Sequence, residues 1–340
     1  MTQFYDARGN IYGVVSPQQV RDYGMDLPPS AALAAQRRES WASAAVHAFC
    51  SWAPGEAAPD AKAHRSDGLL IGPFQNEPPF DLLIVNTDGT LAERSGNGLT
   101  IFSQALQAQG LMPGAGECVL QVHHDKPDGV SPLQTSVRAA EFDGVQGFWL
   151  DLGKPLFGAQ AVGAQEVESV MCNQCNVSRV AALHRLNPAW GHSQFVSIGN
   201  PHCVTLVAGA EGLPSNSQMR ATALSQSLVR IAYAAPGGAG LPCPSGVNLQ
   251  WARLEAEGRV AARVFERGEG PTASSGTSAS AVASAAWRVG WVQAGAVSVV
   301  MPGGTAPILL EEEAGELVRV RLFGAARRMK SSRAAHPTSM

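Results

Sequence analysis

No stretch of this 340-residue sequence reaches the roughly 18 consecutive apolar residues that a membrane-spanning helix requires. The opening residues, Met1-Thr2-Gln3-Phe4-Tyr5-Asp6, lack the basic and then apolar regions of a signal peptide, so a cytoplasmic location is expected. Charge is sparse as well. Only 16% of residues are charged and the formal net charge is −3, which leaves no electrostatic case for nucleic acid or an anionic membrane as partner. A small ligand is the expectation instead. The six cysteines are scattered at 50, 118, 172, 175, 203 and 243, without the density of a disulfide framework. Cys172 and Cys175 form a C-x-x-C, yet no second pair follows at zinc-finger spacing, so ordinary thiols and no metal site are expected. "GEGPTASSGTS" has neither the P-loop lysine nor dinucleotide-binding glycine spacing. "AERSGNG" and "TASSGTS" both miss G-x-S-x-G, which argues against a serine hydrolase built on Ser95 and His202.

What the sequence does hold is apolar content of 45%, enough for two domains with separate cores. It also repeats itself. Aligning Ser95 with Ser275, 180 residues on, places Gly96 on Gly276 and Gly110 on Gly290. Between them, Leu99, Ile101, Phe102 and Leu106, and Ala279, Val282, Ala283, Ala286 and Trp287, are spaced for a buried helix face, with the glycines as left-handed C-terminal caps. Each helix is expected to begin just after its serine. Upstream, "GNIYGVV" at Gly9-Asn10 matches "GNPHCVTLV" at Gly199-Asn200, and Asn86 and Glu266 both stand nine residues before the serines. Runs at Asp81–Val85, Gly147–Leu152, Phe195–Ile198 and Val260–Phe265 read as strands. The chain thus reads as an internal duplication of a β-rich unit with one important helix.

A helix start presents unpaired backbone N–H groups and the positive end of the peptide dipoles, a site for a carboxylate. Two such starts flanking one anion also flank the carbon that bears it. One side chain can then remove a proton and the other return one on the opposite face, which inverts a stereocentre.

Those residues, "NTDGT…RSGNG", "GNPHCV", "VNLQW" and "ERGEGPTASSGTSA", resemble the motifs of the diaminopimelate epimerase family, in the proline racemase superfamily. The resemblance runs from Asn10 to about Gly304 and ends in "MPGGTAPILL", which is similar to that family's last strand pair. It implies an α/β (α+β) fold of two pseudo-symmetric domains. Each would be a curved, mostly antiparallel sheet wrapped around a central helix, with the active site in the interdomain cleft. The corresponding division is 1–155 plus a C-terminal return at about 310–328, carrying Ser95, and 156–309, carrying Ser275. It further implies epimerisation of an amino acid such as diaminopimelate by two-base proton transfer. No pyridoxal phosphate, metal or other cofactor is implied, and a homodimer is compatible with it. Asn10, Asn86, Asn200, Asn248, Glu266 and Arg267 would hold the substrate, and the backbone of Gly96, Asn97, Gly276 and Thr277 its proximal carboxylate. An arginine can grip a carboxylate in bidentate fashion and a glutamate an ammonium, so the residue types suit these roles.

The resemblance breaks at its centre. The family's two catalytic cysteines are here Ser95 and Ser275, whose hydroxyls are far less acidic than a thiol and need a partner base. The resemblance supplies partners: His202 beside the first position and Glu266 beside the second. Gly68 stands where the family commonly has a glutamine, and Pro271 where it has a glutamate. An Ala- and Ser-rich stretch from Pro28 to Ala63 reads as part helix, part loop. Thr277, Ser274, Ser278 and Ser280 read as capping and packing residues. An amino-acid-binding relative that lost turnover with its thiols is the alternative reading. An engineered Cys-to-Ser pair fits less well, because the drift reaches Pro271 and the neighbouring serines.

Overall fold

The computed structural model describes residues 2–52, 55–56, 63–114, 116–126 and 130–329. The chain divides into two compact units, one running to Leu150 and taking the chain back from Gly324, the other spanning Asp151–Phe323. None of the helices among the described residues is long and apolar enough to cross a membrane.

The first unit strings together β1 (Gln3–Ala7), β2 (Asn10–Val15), α1 (Pro17–Asp22), α2 (Ala31–Gln36), α3 (Ala42–Cys50), β3 (Gly68–Ile71), β4 (Phe80–Asn86), α4 (Gly96–Ala108), β5 (Cys118–Val122), β6 (Leu133–Phe142) and β7 (Val145–Asp151). Strands pair in sequence order: β1–β2 antiparallel, β2–β3 parallel, β3–β4 antiparallel, β4–β5 parallel, then β5–β6 and β6–β7 antiparallel. The return segment Arg327–Arg328 pairs along β1. Each parallel step needs a crossover, and the helices supply it. Because side chains alternate along a strand, Leu69, Ile71, Leu83 and Val85 face α1–α3, while Leu70 reaches α4 on the other side. Trp41 anchors the α2–α3 layer, its indole N–H donating to the Ala34 carbonyl at 2.9 Å inside the core. The stretch from Pro28 is helical as expected through Cys50, and parts of its remainder lie outside the described residues.

The second unit holds β8 (Leu156–Phe157), β9 (Glu168–Cys172), β10 (Cys175–Arg179), α5 (Ala181–Leu186), β11 (Ser193–Ser197), β12 (Pro201–Leu206), α6 (Asn216–Arg220), α7 (Thr222–Ala232), β13 (Asn248–Ala256), β14 (Arg259–Glu266), β15 (Gly270–Thr272), α8 (Gly276–Arg288), β16 (Gly295–Met301), β17 (Gly304–Glu313) and β18 (Glu316–Gly324). From β11 the pairing runs antiparallel to β12, parallel to β13, antiparallel to β14, parallel to β16, and antiparallel to β17 and β18. That succession repeats the first unit strand for strand, with β11 in the place of β1 and α8 in the place of α4. Outside this repeat, β8 and the β9–β10 hairpin extend the edge at β11. Phe195, Leu249, Trp251 and Phe265 pack outward with Leu228 and Ile231 of α7, and the opposite strand face covers α8.

The two central helices are built alike. Ser95 and Ser275 are their N-caps, extended in backbone and accepting the amides of Gly98 at 3.0 Å and Ser278 at 3.4 Å. At the other end Gly110 (φ +72°) and Gly290 (φ +73°) take the left-handed conformation. There the amides of Leu111 and Trp291 bond the Leu106 and Ala286 carbonyls at 2.9 and 2.8 Å, closing Schellman motifs. Helix α8 is buried nearly all round by its alanines and serines, as a central helix must be.

Candidate active site

In the first unit, strand register gathers the polar residues at one sheet end: Tyr12 lies opposite Gly68, and Gly68 opposite Asn86. Asn10, at the start of β2, donates to Asp67 at 3.4 Å, and the same carboxylate oxygen takes the Ile11 amide at 2.8 Å. Asn86 donates to the Thr90 hydroxyl at 2.9 Å. That hydroxyl and the Thr90 amide bond Asp88, which holds the Asp88 carboxyl below its ordinary range. Arg94 reaches back to Thr135 and the Gln134 carbonyl at 3.2 and 3.3 Å, fixing the turn that delivers Ser95. The Ser95 hydroxyl lies 3.3 Å from that of Tyr12. Beyond it, the amides of Gly96 and Asn97 occupy the first turn, where a helix has no internal acceptor.

In the second unit, His202 lies opposite Asn248, and the pairing of Leu249 with Phe265 brings Asn248 and Glu266 to the same sheet end. His202 is fully buried; its Nε2 lies 2.8 Å from the Asn200 side-chain oxygen and its Nδ1 2.9 Å from the Gln250 amide nitrogen. The amide donates to Nδ1, so Nε2 carries the proton and donates to Asn200. Burial, with the Arg267 charge adding to it, pushes the His202 pKa down to about 3, and the ring is neutral at ordinary pH. Gln250 also donates to Ser278 at 3.0 Å, linking the histidine to the first turn of α8. The Asn248 oxygen accepts the Arg267 amide at 2.9 Å, and the Arg267 guanidinium donates to the Ser245 carbonyl. Glu266 stands beside Ser275. Burial raises its pKa, and the Ser275 hydroxyl draws it partly back. Gly276 and Thr277 follow as the first turn of α8.

The expected residues are therefore distributed. Asn10, Asn86, Ser95, Gly96 and Asn97 cluster in the first unit, and Asn200, His202, Asn248, Glu266, Arg267, Ser275, Gly276 and Thr277 in the second. By strand position the half-sites correspond pairwise: Asn10 with Asn200, Tyr12 with His202, Gly68 with Asn248, Asn86 with Glu266, Ser95 with Ser275. Both helix starts are suited to an anion, and both place a hydroxyl at its edge.

Comparison with known proteins shows a similarity to diaminopimelate epimerases. The sequence profile described as diaminopimelate epimerase matches residues 194–328. Diaminopimelate epimerase 2 of Nostoc sp. is 28% identical over 256 residues, 73% of this chain and 75% of the relative. The diaminopimelate epimerase of Desulfitobacterium hafniense is 29% identical over 262 residues, 76% and 79% of the two chains. Along about three quarters of its length the chain is similar to diaminopimelate epimerases. Its fold is similar to that of a phenazine-biosynthesis protein of the PhzF family from Bacillus anthracis, with TM-score 0.56, 12% identity, and coverage of 97% and 96% of the two chains. The chain carries the two-unit, central-helix fold that its sequence implies.

Two residues entered the site that sequence reasoning passed over. Tyr12 bonds Ser95, and Gln250 joins His202 to Ser278. The first was within reach, because aligning "GNIY" with "GNPH" sets Tyr12 on His202. The C-x-x-C proves to be a hairpin tip, Cys172 opposite Cys175 across Asn173-Gln174, with the Cys175 thiol donating to the Arg288 carbonyl at 3.1 Å. No group of three metal-ligating side chains occurs among the described residues.

Proposed function

We propose that this chain is a cofactor-independent amino-acid epimerase that inverts the α-carbon of diaminopimelate or a close analogue by proton transfer at Ser95 and Ser275. The observation that carries this reading is the pair of equivalent helix starts, each led by a capping serine with a phenol or carboxyl at its hydroxyl: Tyr12 at Ser95, Glu266 at Ser275. The unpaired amides of Gly96, Asn97, Gly276 and Thr277 receive the α-carboxylate and stabilise the negative charge that spreads into it when the α-proton leaves. Arg267, Glu266, Asn86, Asn200 and Asn248 hold the distal amino-acid group, the arginine on the carboxylate and the glutamate on the ammonium. His202, neutral and bonded at both nitrogens, orients Asn200. The reading includes a cytoplasmic homodimer, whose mass size-exclusion chromatography with light scattering measures.

Incubation of the purified protein with LL- and meso-diaminopimelate in deuterium oxide tests the proposal. Inversion with deuterium at the α-carbon is expected. Neither exchange nor inversion at high protein concentration would sink it.

A further inference from the structure

Tyr12 is buried in β2, where a tyrosine ordinarily only packs, yet its hydroxyl is turned to Ser95 at 3.3 Å. Its ring occupies space that only glycine leaves open. A Cβ at position 68 would lie 2.6 Å from Tyr12 Cε1, 3.1 Å from Cδ1 and 2.8 Å from the Val85 carbonyl oxygen. The Ser95 oxygen already accepts the Gly98 amide, so its remaining lone pair and its proton are the groups available to the phenol. In the other unit the corresponding serine has a carboxylate, Glu266, beside it. One serine is thus partnered by a phenol and the other by a carboxyl group. Such an unequal pair is how two equivalent positions take on acid and base roles.

We propose that Tyr12 is the positioning residue of the Ser95 half-site, holding the Ser95 hydroxyl and resupplying the proton that Ser95 gives to the α-carbon, so that for the stereoisomer whose α-hydrogen meets Ser275, Ser95 acts as the acid and Ser275 as the base. This rests on the epimerase reading above. On the base side the α-C–H bond breaks and its electron pair remains on the carbon, delocalised into the carboxylate. Ser275 Oγ takes the proton as its own passes to Glu266. On the acid side that electron pair forms a new C–H bond with the Ser95 proton, and Ser95 Oγ takes the Tyr12 proton, leaving a phenolate. Water then reprotonates Tyr12 and accepts the Glu266 proton.

Tyr12→Phe keeps the ring and removes only the hydroxyl. It is expected to lower kcat for inversion about 100-fold, within the range of a lost acid–base contribution, with KM changed by no more than about twofold. In deuterium oxide the ratio of α-exchange to inversion should rise for the stereoisomer whose α-hydrogen meets Ser275, since removal of the proton survives while its return on the other face is blocked. An unchanged kcat, or exchange and inversion falling in step, overturns the proposal while the epimerase reading stands. A natural protein that neither exchanges nor inverts overturns both. A substrate-free check uses NMR of the protein carrying isotope-labelled tyrosine. Ser95→Ala should move the Tyr12 ring resonance, and an unmoved resonance removes the pairing on which the proposal depends.

Discussion

His202 donates its Nε2–H to the side-chain oxygen of Asn200, two residues before it, at 2.8 Å, and does so from complete burial. The neutral ring thereby holds the Asn200 side chain in place, and protonation would leave Nδ1–H aimed at the donating Gln250 amide.

A pH dependence of stability follows. The folded pKa of about 3 lies below the 6.5 of an unperturbed imidazole in the unfolded chain, so the unfolded state binds the proton first. The stability this contributes is complete above pH 6.5 and is lost as pH falls toward 3; a shift of that size corresponds to on the order of a few kcal/mol. Glu266, raised by burial, has the opposite sign and gains on acidification. Urea midpoints of the natural protein and His202→Gln, measured from pH 7 down to about 4, isolate the histidine. The natural protein should lose stability more steeply, and parallel curves would show that the buried ring does not set the slope.

Arg267→Lys should weaken diaminopimelate binding by about 1.5–3 kcal/mol, the worth of a hydrogen bond to a charged group, because an ammonium cannot reproduce the two-pronged grip on a carboxylate. Gly246 makes the arginine's position possible, since a Cβ there would meet Arg267 Cδ at 2.6 Å. Isothermal calorimetry reads the loss. An unchanged dissociation constant would mean that the guanidinium serves the Ser245 carbonyl and not a ligand.

How much of this the sequence exposed follows from the range of each interaction. Ser95 and Gly110, like Ser275 and Gly290, mark their helices by local chemistry, a hydroxyl on an amide and a left-handed glycine, and both were legible. So was the matching of Asn10 with Asn200. Tyr12 was not. In an alternating strand a tyrosine reads as core, and its hydroxyl acquires meaning only through Ser95, 83 residues away, and the clearance at Gly68. The same holds for Gln250 and Ser278, a strand residue and a helix residue that look like packing until the fold brings them to 3.0 Å. The parallel sense of β2–β3 was equally hidden, since the helices α1–α3 that cross between those strands are short and α2 and α3 are rich in alanine.

Gly68→Ala should destabilise the protein by about 1–3 kcal/mol, the cost of overpacking a filled core, because the new methyl meets both the Tyr12 ring and the immovable Val85 carbonyl. The ring should give way first. Thermal unfolding measures the loss, and epimerisation should fall with the displaced phenol. Pairing Gly68→Ala with Tyr12→Phe in a double-mutant cycle should show the two activity losses strongly non-additive. Simple additivity would mean that the glycine matters for reasons other than Tyr12.

Ser95→Cys with Ser275→Cys should strongly increase epimerisation. Each site is a helix start, whose dipole favours an anion and lowers a thiol's pKa, whereas a hydroxyl lies too high to profit. The replacement demands little space. Oγ contacts at Ser95 are the Gly98 amide at 3.0 Å and the Tyr12 hydroxyl at 3.3 Å, both of which a thiol can also serve. At Ser275 the Ser278 amide sits at 3.4 Å, already at the distance a larger sulfur prefers. Glu266, held above its usual range by burial, would accept a thiol proton better than an exposed carboxylate does. Single replacements should help less than the pair, since inversion needs a base on one face and an acid on the other. The decisive comparison sets diaminopimelate epimerisation by the natural protein beside that of Ser95→Cys, Ser275→Cys and the double variant. A double variant that binds diaminopimelate but inverts it no faster than the natural chain would mean that the two hydroxyls do not occupy proton-transfer positions.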